Sequence, residues 1–415
     1  MIPAAPPKLV ITPREMSVDI IADATALQHL IGQIDPNLPV AVDAERAQSF
    51  RYSSKAYLIQ VRQDGIGTRL LDPIALAGAE PLADLSQLSA ALSNCEWVIH
   101  AASQDLSCLA EVRLVPQRLF DTELAGRLLG LDRVSLSAML TRYLGIELAK
   151  AHSADDWSRR PLPASWLNYA ALDVDYLLDL HRAVTADLEA AGKAAWARQE
   201  FDDVLARFPV EAGAETDRWR SAKGVGRLRR PRDLAVAQRL WEVRDDLAEQ
   251  IDIAPRRILV DADLIGAAVA FGHMKPAEVP EAIRSQAGFT GRLARRHRGR
   301  WVAAVQAALQ DDPGHWPTRA SGRSTPPPRL WEGVNEAAAK RWALARPSII
   351  EVAEANDVPV ENLMTVATLS EVLWPDGTDF SEAGLRDRLA RANARPWQID
   401  LVAPAVAKAL AGGVD

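Results

Sequence analysis

The chain has 415 residues, of which 48% are hydrophobic and 25% are charged, and 48 Lys and Arg against 55 Asp and Glu give a net charge of −7. These values exclude a disordered or collagen-like chain, and the length predicts two or three domains. The sequence has no apolar run of about 18 residues and no secretory-type N-terminus, so we expect no membrane partner and a cytoplasmic location. Cys95 and Cys108, the two cysteines, are expected to be buried thiols.

The charges are unevenly distributed along the chain. Residues 1–215 carry 19 basic and 29 acidic side chains, residues 216–312 carry 18 and 13, and residues 313–415 carry 11 and 13. An acidic segment followed by a basic one is expected when one part of a chain holds metal or chemistry and another holds a polyanion.

The first segment is predicted to contain both strands and helices. Short apolar runs bounded by turn-forming residues predict strands at 38–45, 56–63, 68–73 and 97–101. Helical patterns lie between and after them, at 24–34, 81–94 and 105–112 and again beyond 122. This order predicts one sheet with helices packed against it.

Asp43 and Glu45, in the predicted strand 38–45, are the first candidate site residues. Side chains alternate along a strand, so positions i and i+2 point to the same side. Two like charges on a mostly buried strand are unfavourable unless a divalent cation neutralises them. A strand end at the surface is the alternative, and the D-x-E motif alone does not decide between the two.

Asp105 follows the predicted strand 97–101, where small residues lead into a predicted helix. A carboxylate there can cap the helix, which is worth about 0.5–2 kcal/mol, or point over the sheet edge to a metal. From the local sequence alone, capping is the commoner arrangement.

Tyr169 and Asp173 lie in the helical pattern 166–181. They are four residues apart and therefore share one face of the helix. A tyrosine beside a carboxylate could orient a water molecule next to a bound metal. The alternative is a tyrosine packed on the core with a solvated Asp173.

In chain order these elements read Asp-x-Glu, Asp and Tyr-x-x-x-Asp, which is four carboxylates and a tyrosine. The signature resembles the DEDD exonuclease superfamily in its tyrosine subclass. Several segments resemble the ribonuclease D family in particular. They are AVDAE, YLIQV, LLDP, WVIHAASQDL, LFDTELAGRLLG, DDWSRRPL and NYAALDVDYLLDLH. The resemblance runs over roughly residues 35 to 185 and continues beyond.

The resemblance implies roles for these five residues. Asp43, Glu45, Asp105 and Asp173 match the metal-binding carboxylates, and Tyr169 matches the residue that orients the attacking water. Two divalent cations are implied, and oxygen ligands suit Mg²⁺ or Mn²⁺.

Several arginines are predicted to bind RNA. Arg46 stands where the family commonly has an aromatic residue, and it could touch a phosphate. Arg159 and Arg160 are candidates because a guanidinium binds phosphate in a bidentate manner, although a solvated pair is equally compatible with the sequence. Basic clusters at 218–232 and 292–300 predict salt-dependent phosphate binding. The residues predicted to make contacts there are Arg229, Arg230, Arg295 and Arg296.

Beyond residue 232 the chain is predicted to be almost entirely helical. LWEVRDDLAEQIDIAPRRIL resembles the helicase-and-RNase-D C-terminal (HRDC) domain, a small nucleic-acid-binding module, and the last segment resembles a degenerate second copy. The predicted fold class is an α/β ribonuclease H-like exonuclease domain with a mixed sheet, followed by two small all-α domains. The predicted limits are 1–215 for the exonuclease domain, 216–312 and 330–415 for the HRDC-like domains, and 313–329 for a Pro/Gly/Ser-rich linker.

The function implied by the resemblance is that of a metal-dependent 3′-to-5′ exoribonuclease. It would release 5′-mononucleotides from tRNA precursors and other small structured RNAs, and we expect it to be a monomer. A DNA exonuclease of the same superfamily and a catalytically inactive RNA-binding scaffold are the alternatives. All five signature positions are present, which disfavours the scaffold because inactive copies usually lose a carboxylate.

Overall fold

The computed structural model describes most of the chain, namely residues 7–14, 20–149, 152, 154–208, 217–318 and 325–412. The predicted boundary at 215 and the centre of the predicted linker 313–329 lie outside the described residues. The described residues fall into the sheet region (7–208), the middle helical region (217–318) and the final helical region (325–412).

A mixed sheet of six strands organises the sheet region. The strands of this region are β1 (Lys8–Val10), β2 (Ile20–Ile21), β3 (Val40–Arg46), β4 (Ala56–Gln63), β5 (Gly67–Leu71), β6 (Trp97–Ile99), β7 (Leu119–Asp121) and β8 (Ile146–Leu148). The order is β2-β5-β4-β3-β6-β7, and β4 is antiparallel to both of its neighbours while the other pairs are parallel. Strands β1 and β8 form a separate parallel pair. Every residue of β4 is buried, so helices and loops cover both faces at the sheet centre.

Helices fill the connections of the sheet region. They are α1 (Ala24–Gln33), α2 (Pro73–Ala77), α3 (Ser86–Ala91), α4 (Leu106–Glu111), α5 (Thr122–Leu128), α6 (Leu136–Leu144), α7 (Ala164–Asp175), α8 (Leu177–Ala190) and α9 (Ala194–Ala206). The single helical pattern at 166–181 is divided between α7 and α8, because the backbone at Tyr176 (φ −112°, ψ 4°) leaves the helical conformation.

The middle and final regions are built of helices. The middle helical region contains α10 (Pro231–Gln250), α11 (Pro255–Ile258), α12 (Asp261–Phe271), α13 (Val279–Ala282), α14 (Arg292–Arg296) and α15 (Arg298–Gln310). The final helical region contains α16 (Glu336–Ala355), α17 (Val360–Leu363), α18 (Val366–Leu373), α19 (Glu382–Arg391) and α20 (Pro396–Ala411). Helices α10 and α20 begin with proline, which suits the first helical position because its missing N–H would have no partner there.

The hydrophobic cores divide the chain differently from its secondary structure. Buried residues of the final helical region, such as Trp331 and Leu373, belong to the same continuous core as Val42 and Leu172 of the sheet region. The middle helical region has a core of its own, centred on side chains such as Trp301. A third, small cluster around Trp157 lies where α7 covers the sheet.

The predicted fold class is confirmed, since a mixed sheet with helices is followed by helical regions. The four predicted strands correspond to β3, β4, β5 and β6, whereas β2 and β7 are too short to show a pattern. Cys95 and Cys108 are buried free thiols, as predicted. None of the described helices is both long and apolar enough to cross a membrane.

Candidate active site

Strand β3 carries Asp43 and Glu45 near the middle of the sheet. It is hydrogen-bonded to β4 on one side and β6 on the other, and its register with β4 shifts between Glu45 and Arg46. Glu45 is buried and Asp43 is partly exposed, while Val40 and Val42 are fully buried. The two carboxylates therefore stand on a rigid central strand and not on an exposed strand end.

Helix α7 places Asp173 opposite β3. It begins after Pro163 and packs against β3, β4 and β5. Asp43, Glu45 and Asp173 each offer one oxygen, and these oxygens lie within 4.8 Å of one another. Tyr169, one helical turn before Asp173, lies on the same helix face with its hydroxyl beside the Asp173 carboxylate. The structure thus brings the D-x-E pair and the Tyr-x-x-x-Asp pair together.

Asp105 approaches the same place from the turn after β6. In this turn Ala101 has a left-handed backbone (φ 60°), and the Asp121 carboxylate accepts hydrogen bonds from the N–H groups of Ala101 (3.1 Å) and Ala102 (2.8 Å). The Asp105 side chain makes no capping hydrogen bond to α4, so capping does not account for this carboxylate. Its Oδ1 lies 3.5 Å from the Nη2 of Arg46.

Burial raises the pKa of all four carboxyl groups, and neighbouring carboxylates raise it further in Glu45, Asp105 and Asp173. Burial raises the pKa of Asp43 to about 6, and burial followed by the charge of Asp43 raises the pKa of Asp105 to about 8. The pKa values of Glu45 and Asp173 are also raised, first by burial and then by neighbouring carboxylates. Four clustered carboxylates are unfavourable in the ionised form without a compensating cation. Because the Asp43, Glu45 and Asp173 oxygens are hard donors that lie close together, these three carboxylates fit a divalent metal, and Asp105 lies beside this group without being part of it.

Tyr169 is held as a neutral hydrogen-bond donor. Burial and then the charges of Asp173 and its neighbours raise the pKa of the Tyr169 hydroxyl far above its ordinary value. The ring packs near His152 and Trp157, with ring centroids 6.0 and 6.4 Å away. The His152 Nδ1 lies 2.6 Å from an oxygen of Asp155. Tyr169 can therefore orient a water molecule but cannot act as a base at neutral pH.

His100 and Asp121 make hydrogen bonds in the segments next to the site. His100 Nδ1 lies 2.9 Å from Thr122 Oγ1, and burial lowers the pKa of His100 to about 4. Asp121 also accepts hydrogen bonds from the N–H groups of Glu123 and Leu124, and so caps α5. Neither side chain joins the group of carboxylates that could share a metal ion in the described residues.

A cavity of about 140 Å³ opens beside Glu45. It is lined by Ala44, Glu45, Arg46, Gln48, Ser49, Ala154 and Asp155. Sequence reasoning missed Gln48, Ser49 and Asp155. The signal available for the first two was their position just after the Asp-x-Glu strand, whereas Asp155 belongs to the conspicuous segment DDWSRRPL.

The arginines predicted to bind RNA in the sheet region differ in what they contact. Arg46 pairs with Asp105 and has a side chain only 19% exposed. Every nitrogen of the Arg160 guanidinium donates a hydrogen bond within the protein, two of them to Asp72 at 2.7 and 2.8 Å. The Arg160 guanidinium is thus fully engaged within the sheet region, while the Arg159 side chain beside it is exposed.

The predicted contacts in the middle helical region also divide into two groups. Arg230 is paired with Asp233 through two hydrogen bonds of 2.9 Å and also contacts His273. Arg229, Arg295 and Arg296 are exposed. Of the basic positions predicted from sequence, these exposed ones are the better placed to reach a phosphate.

Two family models match the chain. One is described as "3'-5' exonuclease" and matches residues 18–189, which include the four carboxylates and Tyr169. The other is described as "3' to 5' exonuclease C-terminal domain" and matches residues 324–410, which correspond to the final helical region.

Curated relatives and solved structures are similar over longer stretches. Ribonuclease D of Nitrobacter hamburgensis is 28% identical over 307 residues, covering 72% of this chain and 76% of that protein. A crystal structure of a protein from Bifidobacterium adolescentis is 33% identical and covers 98% of this chain and 100% of its own, with a TM-score of 0.84. Escherichia coli RNase D, described as an exoribonuclease involved in structured RNA processing, is 25% identical, with coverages of 96% and 99% and a TM-score of 0.68.

Proposed function

The chain belongs to the ribonuclease D family of 3′-5′ exoribonucleases within the DEDD superfamily, and on this premise we propose that it hydrolyses RNA with two divalent cations, Mg²⁺ or Mn²⁺, and releases 5′-mononucleotides. The observation that carries the proposal is the group of Asp43, Glu45 and Asp173 oxygens within 4.8 Å, with the Tyr169 hydroxyl beside it.

Each of the five residues has a role in this proposal. Asp43, Glu45, Asp105 and Asp173 would hold the cations, which supply an activated nucleophile at neutral pH and stabilise the leaving oxygen. The Tyr169 hydroxyl keeps its proton, so it can hold the attacking water in line through a hydrogen bond. Asp121 keeps Asp105 in position by bonding the turn before it.

The substrates proposed are tRNA precursors and other small structured RNAs with 3′ extensions. The similar E. coli enzyme is described as acting in structured RNA processing. The buried and half-buried carboxylates and the small cavity beside Glu45 suit a single-stranded end, while the exposed Arg229, Arg295 and Arg296 suit the body of an RNA. Arg46 and Arg159 are proposed to touch phosphates near the site, and Arg160 to support them.

The proposal also covers the organisation of the molecule. We infer an exonuclease domain at 1–215, HRDC-like domains at 216–312 and 330–415, and a linker at 313–329. A single copy of the chain contains all five signature residues, which supports action as a monomer. A cytoplasmic location is proposed from the intracellular nature of the RNA substrates.

The test is an incubation of the purified protein with end-labelled RNA carrying a 3′ extension and with a DNA strand of the same sequence. Each is incubated with Mg²⁺, Mn²⁺ or EDTA, and the products are resolved by length. We expect a metal-dependent ladder that shortens from the 3′ end of the RNA and accumulates 5′-mononucleotides.

Other outcomes select among the alternatives. Equal shortening of DNA would replace the RNA-specific function with that of a general exonuclease. Tight RNA binding without cleavage under all metal conditions would favour the inactive scaffold. An Asp64→Asn variant removes an exposed carboxylate of the same region. It is the control for the loss of one charge when a carboxylate of the proposed metal site is replaced by asparagine.

A further inference from the structure

The loop that follows the metal-binding strand joins two regions of the molecule. Strand β3 ends at Arg46 and β4 begins at Ala56, and we call residues 47–55 the β3–β4 loop. Its first part contributes Gln48 and Ser49 to the cavity beside Glu45. Its tip reaches the middle helical region.

Four hydrogen bonds, together with two longer ones of 3.4 Å from Arg218 to the Tyr52 hydroxyl, fix this tip to the middle helical region. Asp252 Oδ1 accepts from the N–H groups of Tyr52 (3.1 Å) and Ser53 (3.0 Å). The N–H group of Ala254 donates to the Phe50 carbonyl at 3.0 Å, and the Tyr52 hydroxyl donates to Asp245 at 3.0 Å.

Apolar and cation–π contacts surround these hydrogen bonds. The Tyr52 ring packs against the core of the middle helical region, and Arg257 lies 4.7 Å from the centre of the Phe50 ring. The loop is also anchored within the sheet region, because Arg51 Nε donates to Ser158 Oγ at 2.8 Å. The loop is therefore held by contacts to both regions.

Asp252 is suited to this contact by its place after a helix. Helix α10 ends at Gln250, and Asp252 adopts a left-handed backbone with φ 45°. Aspartate and asparagine tolerate this conformation better than most residues. The turn leaves the carboxylate free of α10, and an ionised carboxylate is a strong acceptor for two backbone N–H groups.

We propose that Asp252 is a positioning residue for RNA hydrolysis: by holding the tip of the β3–β4 loop, the middle helical region sets the wall of the active site beside Glu45. This inference rests on the proposed function and extends it. In the simpler arrangement the middle helical region would only bind RNA. Because of the loop contacts, rapid turnover of any substrate instead requires the middle helical region to be docked on the loop. This includes a substrate too short to reach the middle helical region.

The test uses the full chain and an RNA trinucleotide as substrate. Asp252→Gly removes the acceptor and keeps the left-handed backbone, whereas Asp252→Asn keeps both an acceptor oxygen and the backbone conformation. We expect Asp252→Gly to lower kcat on the trinucleotide about tenfold with KM within about twofold, and Asp252→Asn to retain at least half of the wild-type kcat.

Two further variants keep the test decisive. Tyr52→Phe removes the hydrogen bonds that the Tyr52 hydroxyl donates to Asp245 and accepts from Arg218, on the other side of the contact, and should lower kcat about threefold. Asp246 is an exposed residue of α10 that faces Arg300 and not the loop. Asp246→Asn removes its charge and should leave kcat unchanged. Hydrogen exchange at Tyr52 and Ser53 should become faster in Asp252→Gly.

The proposal is wrong if Asp252→Gly exposes these amides to exchange and still turns over the trinucleotide at the wild-type rate. A loss of activity in Asp252→Asn equal to that in Asp252→Gly would also overturn it. An inactive wild-type protein would instead refute the proposed function, so the two failures are distinguishable.

Discussion

The two helical regions are attached to the sheet region by opposite means. The final helical region shares a continuous hydrophobic core with the sheet region, whereas the middle helical region has its own core and contributes the partners of the β3–β4 loop. Burial of apolar surface is non-directional and strong in sum, while a polar contact depends on a few well-placed groups. The shared core therefore holds the final helical region firmly on the sheet region. The contacts of the middle helical region fix the position of one loop.

Helix α9 of the sheet region and α20 of the final helical region form the clearest part of the shared core. The rings of Trp196 and Trp397 stack with centroids 4.9 Å apart, and Trp397 Nε1 donates to Glu200 at 2.7 Å. The Lys193 ammonium donates to the carbonyls of Leu128 and Asn356, and so ties the ends of two helices from different regions. The final helical region thus completes the fold of the sheet region.

The largest effect is expected from a substitution that leaves both attachments intact. Asp173→Asn removes a carboxylate from the metal cluster, and we expect kcat on 3′-extended RNA to fall by about 10³-fold, equivalent to about 4 kcal/mol of barrier. Fewer like charges remain, so the melting temperature in EDTA should be unchanged or higher. Steady-state kinetics and thermal melting measure the two effects, and turnover within tenfold of wild type would contradict the assignment of Asp173.

Paired tryptophan substitutions test the comparison directly. Both Trp397 and Trp301 are nearly or fully buried, and replacement of either by alanine should cost about 3–5 kcal/mol. Trp397→Ala should weaken the sheet region and the final helical region together, because they share a core. Trp301→Ala should weaken the middle helical region alone. Hydrogen exchange resolved by segment measures this, and equal destabilisation of the sheet region by both variants would show that the cores are not independent.

The pH dependence of stability should show the effect of the clustered carboxyl groups in the sheet region. The raised pKa values of Asp43 (about 6) and Asp105 (about 8) mean that the metal-free folded chain binds more protons than the unfolded chain between about pH 4 and 8. Stability contributed by these groups is therefore lost as pH rises through that range. We expect Mg²⁺ to raise the melting temperature by several degrees at pH 8 and by less at pH 5.5. An equal rise in melting temperature at pH 8 and pH 5.5 would contradict the raised pKa values.

The smallest effect is expected on the exposed face of the middle helical region. The double variant Arg295→Ala and Arg296→Ala should weaken binding of single-stranded RNA several-fold at about 0.15 M salt. It should also reduce the slope of log affinity against log salt by about 1.4 if both side chains contact phosphates. Fluorescence anisotropy over a salt series provides the measurement, and an unchanged slope would remove these residues from the interface.

The residues of the proposed active site could be selected from the sequence because their spacing is local. Asp43 and Glu45 share a strand face and Tyr169 and Asp173 share a helix face, and each relation follows from backbone periodicity. Asp105 was ambiguous, because a residue before a helix can cap it, and only the uncapped turn braced by Asp121 removes the ambiguity.

The remaining features depend on partners that are distant in sequence. The local sequence predicts that Arg160 is available to bind phosphate. In the structure its guanidinium is paired with Asp72, 88 residues away. The contact between Asp252 and Tyr52 spans 200 residues. No local pattern shows that the final helical region buries its apolar face on the sheet region, and a Pro-rich segment before it favours an independent unit instead.

The shared core has a consequence for biosynthesis. Its two halves, represented by Phe201 and Val406, are about 200 residues apart in the order of synthesis. At about 5–20 residues per second, the sheet region leaves the ribosome on the order of ten to forty seconds before the helices that cover it. During that interval the apolar surface that the final helical region buries stays exposed, and a chain terminated before Trp331 would carry the proposed metal-binding residues without the helices that complete their core.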